Sequence, residues 1–174
     1  MMEIWDLYTK DGHPTGKIHR RGDPIPQGYY HPGVHVWILN SKGEYLMSQR
    51  AADRPTFPLK WDCVGGSMLA GEDSLTGAIR EVQEELGITL DPSNGKLLFT
   101  VARDIVAGVP FYDYMYMWLF HYDGDFSLED ASTKEVAQAR WMTLDEIQEL
   151  QDNGTLAPPL TYFFTQVAHK GFTK

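Results

Sequence analysis

The sequence predicts an α/β fold, a mixed sheet covered by helices, and three observations carry that expectation. Runs of β-branched and aromatic residues recur near 34–39, 45–49, 96–101, 111–122 and 139–142. Between the second and third runs, Leu75, Ala78, Ile79, Val82 and Leu86 recur at spacings of three, four and seven, the stripe of a helix burying one face. Two more helical patterns close the chain. Strands on either side of an embedded helix, with helices late in the chain, imply a sheet covered on its faces.

The 174 residues are expected to form one domain, 1–174, with a substantial core. A hydrophobic content of 43% argues against disorder, and no apolar run nears the roughly 20 residues of a membrane span. The formal net charge of −9 excludes the usual electrostatics of wrapping a nucleic-acid polymer, where Lys and Arg neutralise phosphates. Cys63 is the one cysteine, so no intrachain disulfide forms, and its expected role is a small buried apolar residue. With no basic-then-apolar leader pattern at the first residues, a cytoplasmic address is expected.

The opening residues Ile4, Trp5, Leu7 and Tyr8, a turn at Lys10-Asp11-Gly12 and the basic patch Lys17, His19, Arg20 and Arg21 suggest a short hairpin. Asp23 to Gly33, with Pro24, Pro26 and Pro32, reads as a loop. Val34–Leu39 and Tyr45–Gln49 read as paired strands around the turn residues Asn40 to Gly43. From Arg50 to Lys60, Pro55 and Pro58 mark a basic loop. Its Arg50 and Arg54 are candidates for meeting substrate phosphates, against the alternative of ordinary surface charge.

The amphipathic helix is expected over roughly residues 73–86. Asp73 or Ser74 can cap its start, and Gly87 stands where a left-handed stop residue belongs. After it come a strand at Lys96–Val101, a turn at Gly108-Val-Pro110 and the strongly β-like Phe111–Tyr122. There Tyr112, Tyr114, Tyr116 and Trp118 share one face, which serves either as core or as a stacking platform. Ala139–Met142 reads as another strand. Thr143-x-x-Glu146 is a capping box ahead of Leu144, Ile147 and Leu150, with Gly154 as the stop. Leu160, Phe163, Phe164, Val167 and Ala168 predict a closing helix after Pro158-Pro159.

Glu81, Glu84 and Glu85 lie at i, i+3 and i+4 and therefore share one helix face. Like charges one turn apart repel by a few tenths of a kcal/mol, and acids near a helix C-terminus oppose the dipole. A hard divalent cation such as Mg²⁺, which takes carboxylate oxygens and bridges them to phosphates, would offset them. The plainer alternative is a solvated acidic face.

The stretch Gly66 to Ile88 resembles the Nudix box, Gly-x5-Glu-x7-Arg-Glu-U-x-Glu-Glu-x-Gly-U with U a bulky aliphatic. Gly66, Glu72, Arg80, Glu81, Val82, Glu84, Glu85, Gly87 and Ile88 fill every defined place. The resemblance implies an α/β/α sandwich whose box is loop-helix-loop. It also implies an enzyme that uses Mg²⁺, or Mn²⁺, to cleave a small-molecule nucleoside diphosphate joined to a further group, with water attacking phosphorus. By that resemblance Glu81, Glu84 and Glu85 are metal ligands, with the Gly66 carbonyl a further one. Arg80 joins the catalytic set as an orienting group, paired with Glu72. The general base is Glu84 or Glu85, or a carboxylate outside the box, for which Glu135 is the candidate. Family members are often homodimers.

Residues upstream of the box, Glu3 to Asp6 through Thr15-Gly16, His31 and Trp37 to Asn40, resemble isopentenyl-diphosphate isomerase, a Nudix branch, over roughly residues 3–150. That isomerase carries Cys-Gly-His where this chain has Gly65-Gly66-Ser67, so the catalytic thiol and a metal-binding histidine are missing. Cys63 lies two residues early, on a strand about 7 Å away. His31 matches one isomerase metal histidine, but Pro24 stands where the other falls, and His31 and His35 are read as structural. The expectation is a pyrophosphohydrolase. The competing readings are an isomerase-like enzyme and a catalytically silent ligand-binding module.

Overall fold

The computed structural model describes residues 3–168 and 170. Strands β1 (Ile4–Tyr8) and β2 (Pro14–Arg20) pair antiparallel around the turn at Gly12, as the opening pattern predicts. The loop that follows ends at Tyr30, because β3 (His31–Leu39) takes up Pro32 and Gly33.

β3 is the pivot of a seven-stranded mixed sheet that also contains β4 (Tyr45–Arg50), β5 (Trp61–Asp62), β6 (Val64–Ser67), β7 (Gly95–Val106), β8 (Val109–His121) and β9 (Val136–Met142). One edge of β3 runs parallel to β8 from His31↔Asp113 to Leu39↔His121. The other meets β4 only at Leu39↔Tyr45 before the two strands part. β6 takes the freed edge of β3, while β5 and β9 pair with β4. The sheet is therefore wedged open between β3 and β4, and the segment 61–67 fills the wedge.

Alternation along β3 builds two cores. Val34, Val36 and Ile38 point to α1 (Ser74–Leu86) and meet Ala78, Val82 and Leu86. Trp37 and Leu39 point the other way, to Tyr45, Met47, Ile147 and Phe163. A strand buried on both faces reads as a continuous apolar run, which is why β3 is legible in the sequence. With helical segments against both faces, the molecule is the α/β/α sandwich that the resemblance implies. No helix among the described residues is long and apolar enough to cross a membrane.

The ends of α1 follow the sequence. Asp73 Oδ1 accepts from Thr76 N at 2.8 Å, and Gly87 stops the helix at φ +70° with its N–H on Gln83 O. Helix α2 (Leu144–Asp152) starts on the Thr143–Glu146 capping box but is capped at its end by Asn153, one residue before the predicted Gly154.

Two expectations need correction, and the two-way reading of the β8 stripe resolves to packing. β7 and β8 form a longer hairpin than the runs predict, turning at Ala107-Gly108. On β8 the fully buried phase is Asp113, Met115, Met117 and Leu119, whereas Tyr112 is exposed and Tyr114, Tyr116 and Trp118 are half-buried. Tyr116 and Trp118 pack against the α1 core, and Tyr114 lies beside Tyr8 of the opening hairpin. The stripe is thus a packing face and stacks on nothing in the cleft. The closing helix is also cut short, to a 3₁₀ turn at Pro158–Leu160 and α3 (Phe163–Gln166). Tyr162, held between them, places its hydroxyl 2.7 Å from His35 Nδ1 and 3.1 Å from Trp37 Nε1. The apolar positions Leu160, Phe163, Val167 and Ala168 are nevertheless buried, as their spacing predicts.

Gly87 gives a direct test of the box helix. A β carbon there would sit 2.6 Å from Asp130 Cβ and 2.8 Å from Asp130 C, on a backbone that L-residues enter at a cost. Gly87→Ala is expected to lose roughly 2 kcal/mol or more, read as a lower urea midpoint with unchanged m-value.

Candidate active site

Where β3 and β4 part, a cavity of about 420 Å³ opens, and the residues nominated as metal ligands, catalytic groups and phosphate-binding arginines line its wall. Gly66, Arg80, Glu81, Glu84 and Glu85 come from the box, Arg50 and Arg54 from the end of β4 and the loop beyond, and Glu135 from just before β9.

Arg80 organises the acidic wall. Its Nε and Nη2 grip the two oxygens of Glu72 at 2.8 and 2.9 Å, and Nη2 also reaches Ser67 O at 3.0 Å. Its Nη1 donates to Glu81 at 2.8 Å and to Glu84 at 3.1 Å. The pairing with Glu72 foremost raises the pKa of Arg80, so it stays charged. Glu72 in turn accepts from Leu69 N at 2.9 Å, tying the loop to the helix. Gly66 passes so close to Glu81 that a β carbon there would fall inside the carboxylate.

Glu85 lacks such a partner. It is buried, and burial first, then the charges of Glu81, Glu135 and Asp62, push its pKa well above the ordinary carboxylate range. Burial also raises Glu81, to about 7, against the opposing pull of Arg80. On the facing wall the arginines are engaged rather than free. Arg50 pairs with Asp62 at 3.2 Å and also donates to Thr56, and Arg54 pairs with Glu135 at 2.7 Å. Arg50 and Arg54 are therefore neither ordinary surface charge nor bare phosphate sites.

The donor set fits a hard divalent cation. Buried carboxylates held at raised pKa are groups short of positive charge, and oxygen donors are what Mg²⁺ or Mn²⁺ takes. Glu81 and Glu84 are turned to Arg80 Nη1, and no three His, Cys, Asp or Glu side chains among the described residues already stand at metal-cage spacing. Glu81, Glu84 and Glu85 are the groups that would hold the ion, with the Gly66 carbonyl at the loop's edge.

The structure also explains the two residues that depart from the isomerase pattern. A β carbon on Gly65 would sit 2.6 Å from Val34 O and 2.9 Å from His35 Cδ2, so the His35 ring fills the place where a cysteine would project. Ser67 Oγ lies 3.4 Å from His31 Nδ1. Burial lowers the pKa of both His31 and His35, leaving neutral rings. His31 stacks on Trp5 at 4.4 Å, and His35 is hydrogen-bonded to Tyr162. Cys63 is buried and unpaired, and burial pushes its thiol well above the usual range, so it supplies no thiolate.

Several wall residues were not nominated for chemistry from the sequence. The opening hairpin contributes Glu3, Trp5 and Arg21, with Glu3 and Arg21 joined at 2.7 Å. Asp62 is buried, and Arg103 forms a two-pronged pair with Asp113 at 2.6 and 2.8 Å. The signal for that last pair was opposite charges facing each other across the β7–β8 hairpin.

Residues 29–163 match the family described as NUDIX domain. An uncharacterized Nudix hydrolase of Listeria innocua is 39% identical over 164 residues, 94% of this chain and 91% of the relative. An isopentenyl-diphosphate Delta-isomerase of Shigella flexneri is 30% identical over 87 residues, 49% of this chain and 48% of its own. Among solved structures, the protein DR0079 of Deinococcus radiodurans superposes with a TM-score of 0.75 at 19% identity, covering 97% of this chain and all of its own. A MutT protein of Methanosarcina mazei gives 0.64 at 27% identity, over 78% and 91%.

Raised carboxylate pKa values make a pH prediction for the metal-free protein. Between the ordinary carboxylate pKa of about 4.3 and the value of about 7 at Glu81, the folded state holds protons that the unfolded chain has released. Their contribution to stability is complete below that window and lost as pH rises through it. Unfolding in urea with EDTA is expected to show a midpoint falling from pH 5 to pH 8, with a shallower fall in Glu81→Gln.

Proposed function

Because this chain belongs to the NUDIX domain family and is a hydrolase of that family, we propose that it is a Mg²⁺-dependent pyrophosphohydrolase of organic diphosphates, such as a nucleoside diphosphate joined to another group. The observation that carries the reading is the cavity itself, where Glu81, Glu84, Glu85 and Glu135 face Arg50 and Arg54.

Diphosphates resist hydrolysis because their oxygens repel a nucleophile, so a catalyst must neutralise charge and position water. A bound divalent cation supplies that neutralisation. Arg50 and Arg54 add positive charge beside the diphosphate, and each can exchange part of its bonding to Asp62 or Glu135 for a phosphate oxygen. Arg80 keeps Glu81 and Glu84 oriented while its other prongs hold Glu72 and the Ser67 carbonyl. Glu135 takes the proton of the attacking water on its carboxylate and is itself positioned by Arg54. The buried Glu85, without a cationic partner of its own, is the group whose charge most depends on a cation.

The isomerase-like alternative needs a thiol at residue 65, where the Val34 carbonyl and the His35 ring crowd a side chain. The silent binding module is disfavoured by the full set of box carboxylates.

Two variants test the assignment. Glu85→Gln is expected to remove Mg²⁺-dependent release of phosphate from a diphosphate panel, measured with a coupled phosphomonoesterase, while circular dichroism stays native. Full activity in that variant would sink the ligand assignment. Glu135→Gln is expected to lower kcat at least roughly tenfold and to flatten the acid limb of the pH–rate profile. An unchanged profile removes Glu135 as base.

A further inference from the structure

We propose that His35 is a substrate-binding residue: held as its Nε2–H tautomer by a relay through Tyr162, it donates that N–H to a non-bridging oxygen of the substrate's diphosphate. The inference rests on the diphosphate reading of the same cleft.

The relay fixes where the ring proton sits. Trp37 Nε1 can only donate, so its 3.1 Å contact places a hydrogen on the Tyr162 oxygen. The Tyr162 hydrogen then goes to His35 Nδ1, 2.7 Å away. With Nδ1 accepting, the imidazole carries its one proton on Nε2. A proton on both nitrogens would aim two N–H groups at one phenol oxygen and leave the phenol hydrogen without an acceptor. Burial of the ring opposes that charged form as well.

The geometry turns the Nε2 proton toward the cleft. The two nitrogens point to different sides of the ring, so with Nδ1 turned back to Tyr162, Nε2 faces away from it. His35 pairs with Gly65 across the β3–β6 ladder, and Cδ2, the carbon bonded to Nε2, lies 2.9 Å from where a β carbon on Gly65 would sit. The missing side chain leaves this edge of the ring at the cavity wall, which both residues line. Among the described residues, Nε2 has no hydrogen-bond partner. It is also absent from the occluded, unpartnered polar atoms there, which are Trp5 Nε1, Asp62 Oδ1, Arg103 Nη1 and Trp118 Nε1. A histidine used only for packing has both nitrogens satisfied inside the protein, whereas this one keeps a donor for the cavity.

The surroundings select the acceptor. The charges that act on the His35 ring are those of Arg103 and Arg50, both cations. A fixed donor in positive surroundings suits an anionic oxygen better than a carbonyl or a hydroxyl. Arg50 lines the same cavity, so the anion that suits one suits the other.

The test uses methylenediphosphonate, a diphosphate mimic whose P–C–P link is not hydrolysed. Long-range ¹H–¹⁵N correlation on labelled wild-type protein at pH 7 is expected to show His35, assigned by its absence in His35→Gln, as the Nε2–H tautomer. That nitrogen is expected to shift when methylenediphosphonate and Mg²⁺ are added, and Tyr162→Phe to release the fixed tautomer. In calorimetry, His35→Leu is expected to weaken binding roughly tenfold, and His35→Gln, whose amide N–H₂ falls near the place of Nε2, to stay within about threefold of wild type. In turnover, His35→Leu is expected to lower kcat/KM about tenfold for every diphosphate, whatever group it carries. A wild-type ring protonated at Nδ1, an unchanged tautomer in Tyr162→Phe or a wild-type protein that does not bind methylenediphosphonate would overturn the proposal. So would a natively unfolding His35→Leu that binds as wild type, or a loss confined to one class of attached group. If no diphosphate is hydrolysed but the ring responds and the Leu variant binds more weakly, the hydrolase reading falls and the donor stands.

Discussion

A single guanidinium sets the geometry on which the cleft depends. Arg80 has five N–H groups, and five bonds are made: two to Glu72, one to the Ser67 carbonyl, one to Glu81 and one to Glu84. Those bonds join three parts that otherwise have no reason to be in register: the end of β6, the loop before α1 and the acidic face of α1. They also resolve the repulsion that made three glutamates within one turn poor helix design. Arg80 serves Glu81 and Glu84 and leaves Glu85 unserved, so the residual shortage of positive charge falls on the buried carboxylates and most of all on Glu85. A site that must recruit a cation is better served by that arrangement than by full internal neutralisation, because a completely satisfied network would leave the ion nothing to gain.

What the sequence made legible follows from how local each cause is. The box helix was readable end to end, since its stripe, Asp73 cap and Gly87 stop all lie within fifteen residues and each acts through the backbone nearby. The Thr143–Glu146 box was readable for the same reason. The phase of β8 was not. Tyr112, Tyr114, Tyr116 and Trp118 alternate correctly, but both faces of that strand are covered, so alternation alone does not say which one meets the cleft. A register shift between Arg103 and Ile105 then decides which residues pair across the hairpin: Ile105 faces Pro110, yet Arg103 faces Asp113. One extra residue in a strand is invisible to periodicity and moves a charged pair into the wall of the cavity.

The candidate site was legible where the box lies and obscure where distant segments converge. Arg50 and Arg54 could be nominated by charge and position, but their ion pairs with Asp62 and Glu135 depend on the parting of β3 and β4, a property of the whole sheet. The opening hairpin is the extreme case. It lies outside residues 29–163 of the family match, yet Glu3, Trp5 and Arg21 reach the cavity because Trp5 stacks on His31. Those contacts add to the cavity wall a part that the matched family segment does not include.

The same convergence explains why the chemistry diverges from that of the isomerase it partly resembles. Replacing one thiol looks from sequence like a single change, but the position is governed by its neighbours. Gly65 lies against the carbonyl of Val34 and the ring of His35, and His35 is fixed from behind by Tyr162, whose hydroxyl also serves Trp37 in the opposite core. A cysteine at 65 would therefore have to shift the Val34 carbonyl or a buried histidine that is hydrogen-bonded to Tyr162. Packing at such density transmits the change instead of absorbing it. The absent thiol is thus one visible end of a chain of contacts running from the cleft through the sheet to the C-terminal segment.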